Sequence, residues 1–403
     1  MSQLERLRAL LATIAPANRF HTPRLALAGV DERIASLEEF SARHPFTTKA
    51  ELVADQAAHP PFGSNLTFPL ARYTRFSQTS GTTARPLVIL DTPESWDWML
   101  GNWTRIYRAG GVCDGDRIYF AFSFGPFLGF WTAFEAAARC GFLCIPGGGL
   151  GSAERLRAIV EHEATVLCCT PTYALHLAEV AAREGIDLAA AKVRKIFVAG
   201  EPGGSVGTVR ARICEEWNGA EVLDHYGMTE VGPVALQNEG EEGVLRVIED
   251  SYFAEIVDPA TGMAVPAGQL GELVLTTLGR DACPLLRYRT GDLVQRIPDA
   301  PGFALQGGII GRADDMVVVR GVNIYPTAVD AVVRGIPEIA EYRVTVTSRE
   351  TLAEIALEIE TAAEDAVTRL EKALTSAFSL RIPVRRVDSL PRFELKAKRW
   401  RQS

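Results

Sequence analysis

The chain has 403 residues, of which 47% are hydrophobic and 23% charged, and its formal net charge at pH 7 is −8. This composition is typical of a globular protein rather than a disordered one, and the length favours two or more domains. The acidic balance argues against a generic binder of nucleic acid or of anionic membranes, because both need a basic surface.

The first residues and the cysteines indicate a cytoplasmic protein without a membrane anchor. Glu5, Arg6 and Arg8 interrupt the apolar residues at the N-terminus, and no stretch reaches the roughly 18 apolar residues that a membrane span needs. The seven cysteines sit mostly inside apolar runs such as TVLCCTPT, which favours buried thiols in a reducing compartment. They form no CxxC pair, which argues against structural zinc.

A loop rich in hydroxyl groups, SQTSGTTARP, begins at Ser77 and ends at Pro86. Its hydroxyl and backbone N–H groups are suited to holding an anion. It is not a Walker phosphate loop, which needs Gly, four residues and then Gly-Lys-Ser/Thr. The usual kinase and GTPase chemistry is therefore excluded, and other motifs must identify the anion.

Between residues 117 and 230, apolar strands alternate with helical patterns. The strands are predicted in RIYFAFS, FLCIP, TVLCCT, RKIFVAG and EVLDHYG. Because these strands lack polar alternation, we expect a parallel sheet covered by helices on both faces. Ligands bind such sheets at the carboxyl ends of the strands. The segment GGGLGS at 147–152 lacks the third Gly of a dinucleotide fingerprint, so we interpret it as a strand–helix loop.

The pattern changes twice in the last third of the chain. Strands and turns from Ser251 to about Ile297 indicate a smaller β subdomain. Beyond about Asp314 we expect an α+β unit made of a hairpin at 342–360, a helix and a last strand in RIPVRRVDSL. A basic tail follows, in which we expect Lys398 and Arg399 to be solvated. The predicted domains are 1–313 and 314–403, within an α/β fold.

Six features occur in order along the chain. They are the hydroxyl-rich loop, VAGEPGG, DHYGMTE, LLRYRTGDLV, GRADDMVVVRGVNIYP and the tail residue Lys396. Their order and approximate spacing resemble the core motifs of acyl- and aryl-adenylate-forming ligases. Five segments are similar to the phenylacetate-CoA ligase branch, namely HPFTTKAEL, FSFGPFLGF, TPTYALHLAE, GEPGG and RGVNIYPTAVD.

The resemblance implies an enzyme with a large N-terminal domain of mostly parallel sheets covered by helices, plus a β subdomain. It also implies a small mobile α+β domain that carries a catalytic lysine. Such an enzyme joins a carboxylic acid to ATP, releases pyrophosphate and then usually transfers the acyl group to a thiol. A metal-binding carboxylate, phosphate donors and a mobile cation suit this chemistry.

The resemblance also assigns residues to the phosphates and the metal. Glu230 is the expected Mg²⁺ ligand and Thr229 a phosphate contact, while Lys396 would bridge the acyl carboxylate and the α-phosphate. The phosphate loop would consist of Ser80, Gly81, Thr82, Thr83 and Arg85. The chain departs from the family at Ala84-Arg85, where Gly-Lys is common, and at Leu395, where Gly is usual.

The adenosine of ATP has its own expected contacts. Tyr226 offers a flat face to adenine and Asp292 would accept both ribose hydroxyls. Arg312 would reach the ribose or a phosphate, and Asp314 resembles the hinge of the small domain. The remaining residues expected to line the nucleotide are Gly200, Glu201, Pro202, Asp224 and Gly227. His225 receives no role.

Aromatic residues surround the expected acid site. The pocket residues are Phe124, Gly125, Phe127, Phe130, Trp131 and Tyr173. They favour an aryl or arylacetic acid, although an aromatic cluster after a strand is also a common core feature. Family members often have Gly at the position of Phe130, so a shortened pocket is expected.

The acceptor and the catalytic competence are left open by the sequence. CoA is the leading acceptor, and a carrier-protein phosphopantetheine or an amine is the alternative. A degenerate, non-catalytic nucleotide-binding protein is a further alternative, motivated by Ala84, Arg85 and Leu395. We expect no nucleic-acid or membrane partner, and a homodimer is left open.

Overall fold

The computed structural model describes residues 1–79, 86–320, 322–349, 352–392 and 398–402. The chain divides into two compact units. The first unit consists of Met1–Asp116, Ser123–Cys144 and His225–Gln306, and the second of Arg117–Phe122, Ile145–Asp224 and Gly307–Ser403. No helix among the described residues combines the length and the apolar character that crossing a membrane would require.

The helices of the first unit are α1 (Gln3–Ile14), α2 (His21–Ala28), α3 (Leu37–Arg43), α4 (Lys49–Ala58), α5 (Pro93–Ala109) and α6 (Leu128–Arg139). Those of the second unit are α7 (Ser152–Glu161), α8 (Pro171–Glu184), α9 (Gly207–Glu216), α10 (Pro326–Arg334) and α11 (Ala366–Phe378). Local sequence fixes several starts. Thr48 and Glu51 form a capping box at α4, which places Lys49 at the first helical position.

The strands, in chain order, are β1 (Arg75–Gln78), β2 (Val88–Asp91), β3 (Arg117–Phe120), β4 (Leu143–Pro146), β5 (Val166–Cys169), β6 (Lys195–Val198), β7 (Glu221–Met228), β8 (Gly232–Leu236), β9 (Val244–Val247), β10 (Tyr252–Val257), β11 (Leu270–Thr277), β12 (Tyr288–Gln295), β13 (Ala304–Gln306), β14 (Gly311–Arg312), β15 (Val317–Val319), β16 (Val322–Ile324), β17 (Ile339–Arg349), β18 (Leu352–Thr361), β19 (Val384–Val387) and β20 (Trp400–Gln402).

The sheets of the first unit are antiparallel. Strands β10, β11 and β12 pair in that order, which confirms the predicted β subdomain. The end of β7, from His225 to Met228, pairs with β8, and β8 pairs with β9. Strand β12 carries Asp292, and the end of β7 leads into the turn that holds Thr229 and Glu230. These two strands therefore carry the candidate site residues of this unit.

The second unit contains the predicted parallel sheet. Strand β3 pairs with β5, β5 with β6, and β6 with β7 as far as Asp224, all in parallel. Strand β4 ends at Pro146 and α7 begins at Ser152, so GGGLGS is a strand–helix loop as predicted. Buried apolar side chains of α7, α8 and α9 pack on the sheet in one core, among them Leu156, Leu177 and Ile213.

The C-terminal residues of the second unit form a further sheet. The predicted hairpin is present as β17 and β18, and β19 lies parallel to β18. Side chains of β18 and α11 share one core, as the alternation of Ile355, Leu357 and Ile359 predicts. The mixed α/β architecture and the α+β character of this segment confirm the predicted fold class.

The prediction that Arg399 is solvated is wrong. The tail forms strand β20, which lies parallel to β17, and Arg399 is only 8% exposed. Its guanidinium binds the carboxylate of Glu341 at 2.6 Å and 3.1 Å and lies over the ring of Tyr342. A basic composition predicts solvation only when no partner is near, and here the pairing of distant strands supplies a buried carboxylate. Lys398 is exposed, as predicted.

Candidate active site

Tyr226 and Asp292, predicted to hold adenine and ribose, lie in contact. The hydroxyl of Tyr226 on β7 donates a hydrogen bond of 2.6 Å to Oδ2 of Asp292 on β12. Gly227 permits this arrangement, because a Cβ there would lie 2.8 Å from the carbonyl oxygen of Gly232 on β8. The pair presents an aromatic ring and a carboxylate side by side, which is the chemistry expected for a nucleoside.

Glu230 lies in the turn between β7 and β8, and the residue is 3% exposed. One carboxylate oxygen, Oε1, lies 3.1 Å from Nζ of Lys49 and 3.5 Å from the hydroxyl of Tyr288. The carboxylate is therefore held in the protein beside a cation. Sequence reasoning missed Lys49, although HPFTTKAEL was one of the segments similar to the phenylacetate-CoA ligase branch.

In the second unit, the loop after β6 carries Gly200, Glu201 and Pro202. Gly200 has φ of +89°, a conformation that side chains rarely adopt, and Glu201 accepts a 2.8 Å hydrogen bond from the backbone N–H of Thr172. Asp224 is buried and accepts a 2.6 Å hydrogen bond from the hydroxyl of Ser205, near the end of the same loop. The predicted nucleotide-lining residues of this unit thus lie at the carboxyl ends of β6 and of the parallel part of β7.

Other predicted site residues lie on the surface or outside the described part of the chain. Arg312 pairs with Asp314 at 2.8 Å, with both side chains substantially exposed. The residues outside the described ranges are Ser80, Gly81, Thr82, Thr83, Ala84, Arg85, Leu395 and Lys396. Their roles stay predictions.

The aromatic residues predicted for the acid pocket group into close pairs. The rings of Phe124 and Trp131 lie 4.9 Å apart and those of Phe127 and Phe130 lie 5.9 Å apart. Trp131 is 41% exposed, and its indole N–H donates to the carbonyl of Gly125. These rings surround the start of α6 and do not all belong to a closed core.

Tyr173 differs from the other predicted pocket residues, because it is buried in the core of the second unit. Its hydroxyl oxygen accepts a 2.7 Å hydrogen bond from Arg155 and lies 3.0 Å from the hydroxyl of Ser152. The guanidinium of Arg155 also lies over the ring of Tyr173. Its assignment to the acid pocket stays a prediction.

Comparisons with known proteins show which family this chain resembles. The family model of AMP-binding enzymes matches residues 77–279, and the model of the AMP-binding enzyme C-terminal domain matches residues 321–402. A phenylacetate-coenzyme A ligase of Pseudomonas putida is 33% identical over 90% of this chain and 82% of the relative. The chain belongs to the AMP-binding enzyme family. It is an AMP-forming CoA ligase of the phenylacetate-CoA ligase-like branch, the branch that segments such as HPFTTKAEL and RGVNIYPTAVD predicted.

Further relatives of this ligase are also CoA ligases. A phenylacetate-coenzyme A ligase of Thermus thermophilus is 33% identical over 89% of this chain and 80% of its own. The crystal structure of a 2-hydroxyisobutyryl-CoA ligase, in the postadenylation state with R3-HIB-AMP, matches with a TM-score of 0.94 and 30% identity. That match covers 100% of this chain and 89% of the other.

A buried ion pair in the ligase escaped sequence reasoning. Arg280 and Asp91 are both 0% exposed, and two hydrogen bonds of 2.7 Å and 2.6 Å join them. Nη1 of Arg280 also donates to the backbone carbonyl oxygens of Thr229 and Glu230. The sequence contains one signal of this pair, which is a charged residue within each of two apolar segments. Buried charges need partners, so each of these residues implied an opposite charge elsewhere in the chain.

His225, between Asp224 and Tyr226, is held neutral by the ligase. Its ring lies edge-on to Trp103 at 4.4 Å, and burial lowers its pKa to about 4, although a hydrogen bond with the backbone of Tyr226 opposes the shift. An unfolded chain titrates histidine near pH 6.5 and therefore takes up the proton first as the pH falls. The contribution of the neutral, buried His225 to the free energy of unfolding is fully present above pH 6.5 and is lost as the pH falls toward 4.

The variant His225→Phe cannot titrate, so its stability should depend less on pH. The loss in unfolding free energy between pH 7 and pH 5 should be about 2 kcal/mol smaller than in the wild type. Urea unfolding at both pH values measures this difference. Burial also lowers the pKa values of His21 and His44, to about 3 and about 4. Both residues are present in the two proteins, so their contributions to the pH dependence cancel. Equal losses in the two proteins would contradict the assignment.

Proposed function

We propose that the ligase activates an aromatic carboxylic acid with ATP as an acyl-adenylate and transfers the acyl group to the thiol of CoA. The observation that carries the aromatic part is the set of rings around the start of α6, with Trp131 41% exposed and next to Phe124. Aromatic side chains kept partly outside a core are suited to a flat apolar ligand. The names of the phenylacetate-coenzyme A ligase relatives support both the acid class and the acceptor.

The residues that would contact the nucleotide belong to the same proposal. Asp292 is an acceptor-only group and would take the ribose hydroxyls, while the ring of Tyr226 would lie against adenine. Their 2.6 Å hydrogen bond would keep both groups in place before ATP arrives. Gly200, Glu201, Pro202, Asp224 and Gly227 would line the base, and Arg312 would reach the ribose or a phosphate.

Glu230 is the proposed ligand of Mg²⁺. The described residues contain no cluster of three or more His, Cys, Asp or Glu side chains that could hold a metal by themselves. Mg²⁺ commonly binds one or two carboxylates together with substrate phosphates, and Glu230 offers a buried carboxylate that already attracts the ammonium of Lys49 at 3.1 Å. These residues therefore fit a metal that arrives with ATP. When bound, Mg²⁺ would neutralise charge on the phosphates.

Two displacements complete the reaction. A carboxylate oxygen of the acid attacks the α-phosphorus, and the bond to the pyrophosphate oxygen breaks. Lys396 would screen the repulsion between the carboxylate and the phosphates, and the hydroxyl-rich loop would hold the departing pyrophosphate. The thiolate of CoA then attacks the acyl carbon and AMP leaves. The division into a binding domain, 1–313, and a lid domain, 314–403 with its hinge at Asp314, belongs to the same proposal.

Pyrophosphate exchange and product analysis test this proposal. Exchange of labelled pyrophosphate into ATP is measured with benzoate, phenylacetate, 2-hydroxyisobutyrate and an aliphatic acid. We expect the aryl acids to support the fastest exchange, and an aliphatic preference would refute the aromatic part. A second assay offers CoA, a holo carrier protein and an amine. We expect the CoA thioester as the main product. A cytoplasmic location stays a prediction, and a homodimer is left open as before.

The half-buried Phe130 on α6 is expected to limit the length of the acid. If its ring closes the pocket, the natural acid is of benzoate size, and longer arylacetic or arylpropionic acids react poorly. Replacing Phe130 by Gly should then shift preference toward the longer acids by roughly 1 to 3 kcal/mol per methylene-sized change in fit. Pyrophosphate exchange with benzoate, phenylacetate and phenylpropionate measures the ranking.

A matched control separates pocket from core. Phe142 is also half-buried, and its ring packs edge-on against Tyr107 at 6.1 Å. Phe142→Gly should lower the melting temperature without changing the acid ranking. If Phe130→Gly behaves in the same way, Phe130 is a core residue and the pocket assignment is wrong.

A further inference from the structure

We propose that Arg280 is a positioning residue for the reaction. It fixes the backbone carbonyls of Thr229 and Glu230, and thereby the direction in which the Glu230 carboxylate points. Asp91 holds Arg280 in place. The inference rests on the proposed function, since it gives Arg280 a purpose only if Glu230 receives the metal that accompanies ATP.

The hydrogen bonds of Arg280 divide into two sets. Nε and Nη2 bind the two oxygens of Asp91, at 2.7 Å and 2.6 Å, in the bidentate geometry that guanidinium and carboxylate favour. Nη1 donates to the carbonyl oxygens of Thr229, at 3.1 Å, and of Glu230, at 2.7 Å. The carboxylate of Asp91 neutralises the positive charge of Arg280. The third nitrogen, Nη1, binds the two consecutive backbone carbonyls and holds both at one point.

This contact restrains the turn that carries the proposed metal ligand. Thr229 and Glu230 follow β7, and Val231 closes the turn with a hydrogen bond to the carbonyl of Met228. Two carbonyls directed at one nitrogen limit rotation of the backbone at the Cα of Glu230, which lies between them. The side chain of Glu230 starts at that Cα, so a shift of the turn would move its carboxylate. Partners that orient metal ligands commonly matter by roughly 10- to 100-fold in metal affinity.

Lysine can satisfy only part of this arrangement. A lysine at position 280 would keep the positive charge for Asp91, but it has one nitrogen and lacks the planar fork of arginine. It cannot bind both carboxylate oxygens and both carbonyls. Arg280→Lys therefore removes the orientation of the turn with less damage to the charge balance than Arg280→Met. Asp91→Asn is the second variant, because it weakens the anchor of Arg280 from the other side.

The experiment measures binding without catalysis. Calorimetry in the absence of acid gives the dissociation constants of MgATP, of ATP with EDTA and of AMP, and melting temperatures are recorded in parallel. For Arg280→Lys we expect the MgATP constant to rise roughly 10- to 100-fold, and those of AMP and metal-free ATP to stay within a small factor of wild type. Asp91→Asn should change the constants in the same pattern.

Arg287→Lys is the control for general loosening. Arg287 also forms a nearly buried ion pair, with Glu255, and donates to the carbonyl of His44, but it makes no described hydrogen bond to Thr229 or Glu230. We expect it to lower the melting temperature while the MgATP constant stays unchanged. If Arg280→Lys and Arg287→Lys weaken MgATP equally, or if Arg280→Lys leaves it unchanged, the inference is wrong.

Glu230→Gln, measured alongside, shows which proposal fails. If Glu230→Gln weakens MgATP binding and Arg280→Lys does not, only the positioning role of Arg280 falls. If Glu230→Gln itself leaves the MgATP constant unchanged, the metal assignment falls and the inference about Arg280 falls with it. Weakened MgATP binding in both variants, with AMP binding retained, supports both.

Discussion

Replacing Lys396 by Ala is expected to abolish adenylate formation while thioester formation from supplied acyl-AMP stays largely intact. A carboxylate and a triphosphate repel each other, and Lys396 is the group proposed to screen that repulsion during the first step. Removing one such preorganised charge should lower the first rate by on the order of 100- to 1,000-fold. The second step does not need this lysine, because the small domain would present a different face to the acyl-adenylate.

Two assays on the same preparation measure this effect. Pyrophosphate exchange reports the first step, and release of AMP from synthetic acyl-AMP with CoA reports the second. Lys398→Ala is the matched control, since Lys398 is exposed and lies two residues away. We expect this control to retain both activities. Equal loss of both steps in Lys396→Ala would remove Lys396 from its proposed role.

Changing Glu230 to Gln should raise the Mg²⁺ concentration needed for half-maximal activity and lower the turnover. The amide keeps the shape of the side chain but removes its negative charge, and Mg²⁺ binds hard, charged oxygens. We expect a shift of at least about 10-fold in the Mg²⁺ titration, by analogy with changes around other metal sites. The titration is performed with pyrophosphate exchange at fixed total ATP.

Glu51→Gln is the control for this titration. Glu51 also forms an ion pair, with Arg24 at 2.9 Å, and lies on α4, the helix that begins with Lys49. Loss of its charge disturbs the same helix without touching the proposed metal ligand. Its Mg²⁺ titration should match that of the wild type. If the Mg²⁺ titration curve of Glu230→Gln coincides with the curves of the wild type and of Glu51→Gln, the metal assignment is wrong.

The sequence predicted those parts of the fold that depend on local patterns. Continuous apolar runs separated by helical periodicity led to the parallel strands β3, β5, β6 and β7, because a strand buried on both faces has no polar alternation. Alternation of Ile355, Leu357 and Ile359 led to the hairpin in the same way. The contact of Tyr226 with Asp292 also agrees with the shared nucleotide role that the two motifs implied.

The remaining features depend on residues that are far apart in the chain. Arg280 and Asp91 are separated by 189 positions, and nothing local in either segment names the other. Arg399 looked solvated because its neighbours are basic, yet the parallel pairing of β20 with β17 buries it beside Glu341. Pairing between distant strands decides both cases, and a single sequence carries no direct record of it.

One competition reaction tests the central claim most directly. Equal concentrations of benzoate, phenylacetate and 2-hydroxyisobutyrate are supplied with ATP, Mg²⁺ and CoA, and mass spectrometry identifies the thioesters and nucleotides formed. The account predicts an aryl-CoA as the main thioester, with benzoyl-CoA ahead of phenylacetyl-CoA, and one AMP for each thioester. A main product of 2-hydroxyisobutyryl-CoA, or ADP in place of AMP, would contradict it.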